Sequence, residues 1–240
     1  MIFDLDGTPP DIGFPETRLA EKDPNGLLAI GGDLSQERIL SAYRLGIFPW
    51  YSVGQPILWW SPAPRMVLYP TELHVSRSLR KTMRQGTFDV SIDNDFASVI
   101  RACAAPRRQQ EGTWLVPEMI EAYCELHRSG FAHSIEIWRD DSLVGGLYGV
   151  AIGEMFYGES MFSLQTNTSK LAFAKLAEVA LDHPFQFIDC QIHTDHLASL
   201  GAREISRKTF HKDLALAIDR PGAPLERTER STVATMRWAQ

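Results

Sequence analysis

Cysteine is scarce in this 240-residue chain: Cys103, Cys124 and Cys190 are odd in number and far apart. That excludes a disulfide framework and fits the reduced thiols of a cytoplasmic protein. Long hydrophobic runs are missing too, so no segment reaches the roughly 20 apolar residues of a membrane span. The N-terminus MIFDLDGTPP carries neither the basic stretch nor the apolar core of a secretory signal, and no membrane partner is expected. A positive excess is also lacking, because 24 Lys and Arg face 30 Asp and Glu for a formal net charge of −6. Indiscriminate nucleic-acid binding is thereby excluded, whereas a local basic patch is not. What is present, 44% hydrophobic and 22% charged residues, is the composition of a folded protein with ample core.

Turn residues divide the chain. Residues 1–61 read as a small N-terminal domain that begins with a polar arm over 1–22. There Asp4-Leu5-Asp6-Gly7-Thr8 matches a phosphatase signature, but too few residues precede it for a buried central strand. Pro24-Asn25-Gly26 and Gly31-Gly32 are turns, and Asp33 or Ser35 can cap a helix carrying Ile39, Leu40 and Tyr43. Trp50, Trp59 and Trp60 crowd into a proline- and glycine-rich stretch. Trp59 and Trp60 are expected to staple the small domain to the main one, while Trp50 offers a flat surface for a base. Residues 62–219 form the main domain, and 220–240, rich in proline and charge, read as a mobile tail.

A helix is predicted over 73–85, with Arg77, Arg80, Lys81 and Arg84 spaced three and four apart on one face. Such a run is often only a solvated face. No acid interleaves this one, so a track for a phosphate backbone is the competing reading.

Residues 132–162 read as three strands joined by turns at Asp140-Asp141 and Ile152-Gly153. Alternation along the third puts Tyr157, Glu159 and Met161 on one face, making Glu159 a carboxylate inside an apolar strand. After a helix, Phe185 to Ile192 forms another strand, with Asp189 and Gln191 on a common face. Paired polar groups at the end of an apolar strand are a candidate site. His193 and His196 near Cys190 lack a second ligand pair, so a zinc site is not expected. Gly158-Glu159-Ser160-Met161-Phe162 lacks the second glycine of a nucleophile elbow.

The order of two helices, a three-strand meander, a crossover helix and a strand resembles the GCN5-type N-acyltransferase fold. It is an α+β architecture with a mixed sheet and helices on both faces. Acyl-CoA members carry a glycine-rich pyrophosphate cradle after the third meander strand, but residues 162–168, FSLQTNT, contain no glycine. Motifs then narrow the resemblance: NGLLAIGGDLS from Asn25, GIFPW from Gly46, WWSP from Trp59, EGTW from Glu111, GESMF from Gly158, DCQ from Asp189 and HLASLGA from His196. Together they resemble the bacterial leucyl/phenylalanyl-tRNA–protein transferase family.

That resemblance implies transfer of Leu or Phe, and less readily Met, from aminoacyl-tRNA to an N-terminal Arg or Lys of a protein, marking it for degradation. It implies neither a metal nor an organic cofactor. Asp189 would accept the proton of the incoming amine, or only position substrates while a tRNA hydroxyl shuttles protons; Gln191 would orient the amine or donate to the intermediate, and Glu159 would hydrogen-bond the Gln191 amide or the ammonium. Leu147, Phe156, Met161, Phe173, Leu176 and Ile188 would line the aminoacyl pocket, although Leu176 and Ile188 also read as ordinary core. Trp50 and Trp114 would contact the terminal adenosine, and Arg77, Arg80, Lys81 and Arg84 the tRNA phosphates. A monomer is expected. The competing readings are an acyl-CoA-dependent N-acyltransferase and a non-catalytic RNA- or peptide-binding module.

Overall fold

Short apolar runs between turns build a first, four-stranded sheet. The computed structural model describes every residue except 1, 11–12, 106–114, 184 and 223–224. β1 (Phe3–Asp4), β2 (Leu27–Ile30), α1 (Gln36–Arg44), β3 (Phe48–Pro49) and β4 (Leu58–Trp60) follow in the chain, and the strands lie in the order β1-β2-β4-β3. Ser35 caps α1 by accepting the Arg38 amide. Trp59 is fully buried, and its indole N–H donates to the Gly31 carbonyl.

The polar arm expected over 1–22 is corrected here. β1 pairs in parallel with β2, Leu5 is buried, and Asp6 Oδ1 accepts the Gly32 amide at 2.8 Å. Phe3 and Leu5 give the segment an apolar edge that its average composition conceals.

The large sheet follows. Its elements are β5 (Arg65–Leu68), α2 (Arg77–Gln85), β6 (Asp89–Ile92), α3 (Phe96–Ala104), α4 (Pro117–Arg128), β7 (Ala132–Arg139), β8 (Ser142–Ile152), β9 (Met155–Ser163), α5 (Thr168–Asp182), β10 (Phe187–Gln191), α6 (Asp195–Ala198), β11 (Arg203–Ile205), α7 (Arg207–Ala217) and β12 (Thr228–Thr232). The strand order is β11-β5-β10-β9-β8-β7-β6-β12, and β9 with β10 is the parallel pair. One face packs against α1, α3, α4 and α7 through Tyr43, Ile100, Tyr123 and Phe210. The other packs against α2 and α5 through Leu79, Met83, Leu171 and Phe173. Glycine in β8 permits close approach: a Cβ on Gly145 would meet the Thr168 side chain at 2.4 Å.

The described residues of 220–240 hold a strand and a buried apolar set, against the mobile tail that composition predicts. β12 pairs antiparallel with β6 and closes that edge of the sheet, while Val233, Met236 and Ala239 are buried. A few apolar residues, spaced to fall beside α2 and α5, anchor a segment that is otherwise charged.

A bulge in the β8–β9 ladder corrects the face assignment in the meander. Gly149 faces Gly158 while Tyr148 faces Ser160, which leaves Glu159 as the extra residue. Tyr157 and Glu159 therefore share one face. Met161, the partner of Leu147, lies on the opposite one.

Candidate active site

β9 and β10 stay in register through Met155 with Phe187, Phe156 with Ile188 and Tyr157 with Asp189. Beyond that point β9 continues to Ser163 while β10 ends at Gln191. Side chains, not backbones, bridge the opening. Gln191 leaves the strand at φ 65°, a left-handed conformation uncommon outside glycine, and its register against β5 shifts there. In that position its Nε2 donates to Glu159 Oε1 at 2.7 Å.

Glu159 is only 8% exposed. Its Oε2 accepts from Tyr123 Oη at 3.0 Å, and the Tyr123 and Tyr43 hydroxyls lie 2.6 Å apart. Burial pushes the Glu159 carboxyl up to about 7, an effect the Tyr43 and Tyr123 hydroxyls oppose and the Asp189 charge reinforces. Burial also holds both tyrosines well above their ordinary value, so they stay protonated donors. A carboxyl balanced in this way near neutrality can both take and return a proton.

Asp189 is placed differently. It is fully buried, and Arg65 forks onto it with Nε to Oδ1 at 2.8 Å and Nη2 to Oδ2 at 2.7 Å. The Gln191 backbone amide donates to the same Oδ1 at 2.9 Å. Both oxygens are thus engaged by charge-assisted or backbone bonds. Asp189 thus sits between the Arg65 guanidinium and the Gln191 backbone amide.

The six residues that the resemblance places in an aminoacyl pocket gather on the opposite face. Leu147, Phe156, Phe173, Leu176 and Ile188 are buried in one cluster, with Met161 half-buried against it. Phe156 pairs across to Ile188 and Leu147 to Met161, so these four side chains flank the strands that open. The sequence put Met161 beside Glu159; the bulge separates them.

Trp50 is 39% exposed, with its ring centroid 5.7 Å from that of Trp60. The Trp60 indole donates to the Trp50 carbonyl and holds that backbone in place. Trp114 lies outside the described residues. On α2, Leu79 and Met83 face inward, while Arg77, Arg80, Lys81 and Arg84 line a surface concavity of about 480 Å³ together with Gln85. Arg84 Nε donates to the Ala239 carbonyl at 2.7 Å, so one of the four is partly committed to the C-terminal segment.

Arg65 and Tyr123 were not singled out from the sequence, and Tyr43 was named only as a helix residue. One signal for Arg65 was available: it opens the otherwise apolar run RMVL, where a buried charge must find a partner. Tyr123 shares its helix face with Met119 and Leu126 and looks like core until its hydroxyl is placed.

A mixed sheet with helices on both faces, opened between its parallel strands beside a buried carboxylate, defines an α+β protein. The sequence model described as Leucyl/phenylalanyl-tRNA protein transferase matches residues 67–215, and that of the N-terminal domain of the same family matches residues 32–63. The chain belongs to the leucyl/phenylalanyl-tRNA–protein transferase family. The protein of that name from Pseudomonas fluorescens (strain Pf0-1) is 60% identical over 87% of this chain and 92% of its own. The one from Azotobacter vinelandii is 59% identical over 88% and 93%. A solved GCN5-related N-acetyltransferase from Kribbella flavida is similar over 68% of this chain and 58% of its own, with 13% identity and a TM-score of 0.38.

Proposed function

We propose that this protein transfers Leu or Phe, and less readily Met, from aminoacyl-tRNA to the N-terminal Arg or Lys of an acceptor protein in the cytoplasm. The bulky new N-terminus would direct the product to degradation. The observation that carries this reading is Glu159, a buried carboxyl near neutrality, held by Gln191 and Tyr123 where β9 and β10 part.

The aminoacyl ester is already activated, so alignment and proton handling are the main tasks. An α-amino group with a pKa of about 7.7–8.0 arrives mostly as ammonium. Glu159 takes one proton and frees the nitrogen lone pair. The amine attacks the ester carbonyl, the new C–N bond forms, and the bond to the ribose oxygen breaks. The nitrogen gives up a second proton as the leaving oxygen takes one, so each turnover releases a single proton overall. Gln191 orients the amine, and Asp189 holds Gln191.

On this reading Trp50 stacks on the terminal adenosine, supplying roughly 1–3 kcal/mol. The α2 cations follow tRNA phosphates with little regard to sequence. Met161, Leu147, Phe156, Phe173, Leu176 and Ile188 receive the aminoacyl side chain from the other side of the opening. A β-branched side chain is disfavoured there by only ~1–3 kcal/mol, so Val and Ile are rejected incompletely.

Single-turnover transfer of labelled Leu from charged tRNA to an Arg-starting peptide tests the proposal. Labelled peptide with Arg or Lys first, and none with Glu first, is the expected result. A thermal shift with coenzyme A and no transfer from tRNA would overturn it in favour of an acyl-CoA enzyme.

A further inference from the structure

We infer that Arg65 is a positioning residue for aminoacyl transfer: through Asp189 it fixes the backbone of Gln191, and with it the amide that holds Glu159 at the opening. The inference rests on the transfer reading above.

Three contacts confine the guanidinium. Its edge forks onto Asp189, with Nε and Nη2 each reaching a separate oxygen. Its Cζ also lies over two aromatic rings from different parts of the chain, Phe48 of β3 at 4.8 Å and Phe210 of α7 at 4.7 Å. These contacts confine the planar group, and through Phe48 the small sheet contributes directly to the site. Nη1 has no hydrogen-bond partner among the described residues, so the ring faces are its main compensation.

The consequence lies one residue beyond Asp189. Gln191 holds φ 65°, which an L-residue keeps only when its surroundings impose it. The imposing bond runs from the Gln191 N–H to Asp189 Oδ1, the same oxygen that Arg65 Nε engages. If Asp189 turns, the amide loses its acceptor, Gln191 relaxes toward extended backbone, and its Nε2 leaves Glu159. A purely structural ion pair would not need this arrangement, since buried pairs are often replaceable by apolar residues without loss of stability.

The test uses full-length Arg65→Lys, Asp189→Asn, the double variant and Phe48→Leu. Measured quantities are single-turnover Leu transfer to an Arg-starting peptide, affinity for charged tRNA, and thermal midpoint. Lysine keeps the charge but cannot fork onto both oxygens. Arg65→Lys is expected to slow transfer by about 10²-fold, the cost of a small misplacement at a reacting centre. Its affinity for charged tRNA should stay within about twofold, because α2 and Trp50 are untouched. The double variant should be no slower than the slower single variant, since the two residues act as one unit.

A folded Arg65→Lys that transfers at the wild-type rate overturns the inference, as do additive losses in the double variant. If Arg65→Lys does not fold, Phe48→Leu decides, with a several-fold slower transfer at unchanged tRNA affinity expected and an unchanged rate overturning the inference. Wild-type protein that transfers nothing would instead sink the transfer reading itself.

Discussion

The Tyr123 hydroxyl donates to Glu159 Oε2 at 3.0 Å, so α4 supplies a donor behind the carboxylate that the β9 bulge turns toward the opening. Gln191 occupies the other oxygen. The acidity of Glu159 is thereby set by parts of the chain that lie far from it in sequence.

That acidity has a stability signature. The carboxyl sits at about 7 in the folded protein against 4.5 ordinarily, so between those values the unfolded chain has lost the proton the folded one keeps. Stability is fully present below the lower value and falls as pH rises through about 7, by roughly 3 kcal/mol at ~1.4 kcal/mol per unit. Thermal midpoints against pH should show this decline in the wild type and a flatter curve in Glu159→Gln. Equal slopes would contradict the assigned environment.

Transfer should rise with pH as Glu159 ionises, levelling above about 7. Glu159→Gln should lose roughly 10²–10⁴-fold in single-turnover rate, the usual range for a positioned proton acceptor. Tyr123→Phe removes a donor that favours the carboxylate, so its acid limb should move to higher pH with a smaller loss at the plateau. A Tyr123→Phe profile that overlays the wild type would remove the tyrosine from this role.

Trp50→Ala should weaken charged-tRNA binding by ~1–3 kcal/mol, and Trp50→Phe by less, because stacking tolerates any aromatic face. The indole is partly exposed, so the thermal midpoint should change little. Competition with free adenosine monophosphate offers a direct readout, and undiminished binding by Trp50→Ala would exclude the stack.

Neutralising Arg77, Arg80 and Lys81 together should weaken tRNA binding and flatten its salt dependence, because each lost phosphate contact removes counterion release. Arg84→Ala is expected to differ. It also breaks the bond to the Ala239 carbonyl, and part of its cost should appear as lower thermal stability. Salt titrations of each variant separate the two effects.

Much of this was visible before any folding. Turn glycines and alternating apolar residues marked β7, β8 and β9, and the helix that follows them was bounded by its polar start. The exposed arginines and lysine of α2 are where their spacing put them. Average composition misled at both ends, where Leu5 and Val233 anchor segments whose other residues are mostly polar. Alternation misled at Met161, because a bulge depends on the partner strand and shifts every later side chain to the other face.

By itself the sequence determined the meander, the polar trio of Glu159, Asp189 and Gln191, and the motifs that define the family, because these follow from local periodicity and residue order. Only the tertiary structure decided what surrounds each carboxylate. Arg65 reaches Asp189 across 124 positions, while Glu159 is enclosed by tyrosines from two helices and an amide from the next strand. A charge is tuned by whatever surrounds it in space, and no local pattern records those neighbours.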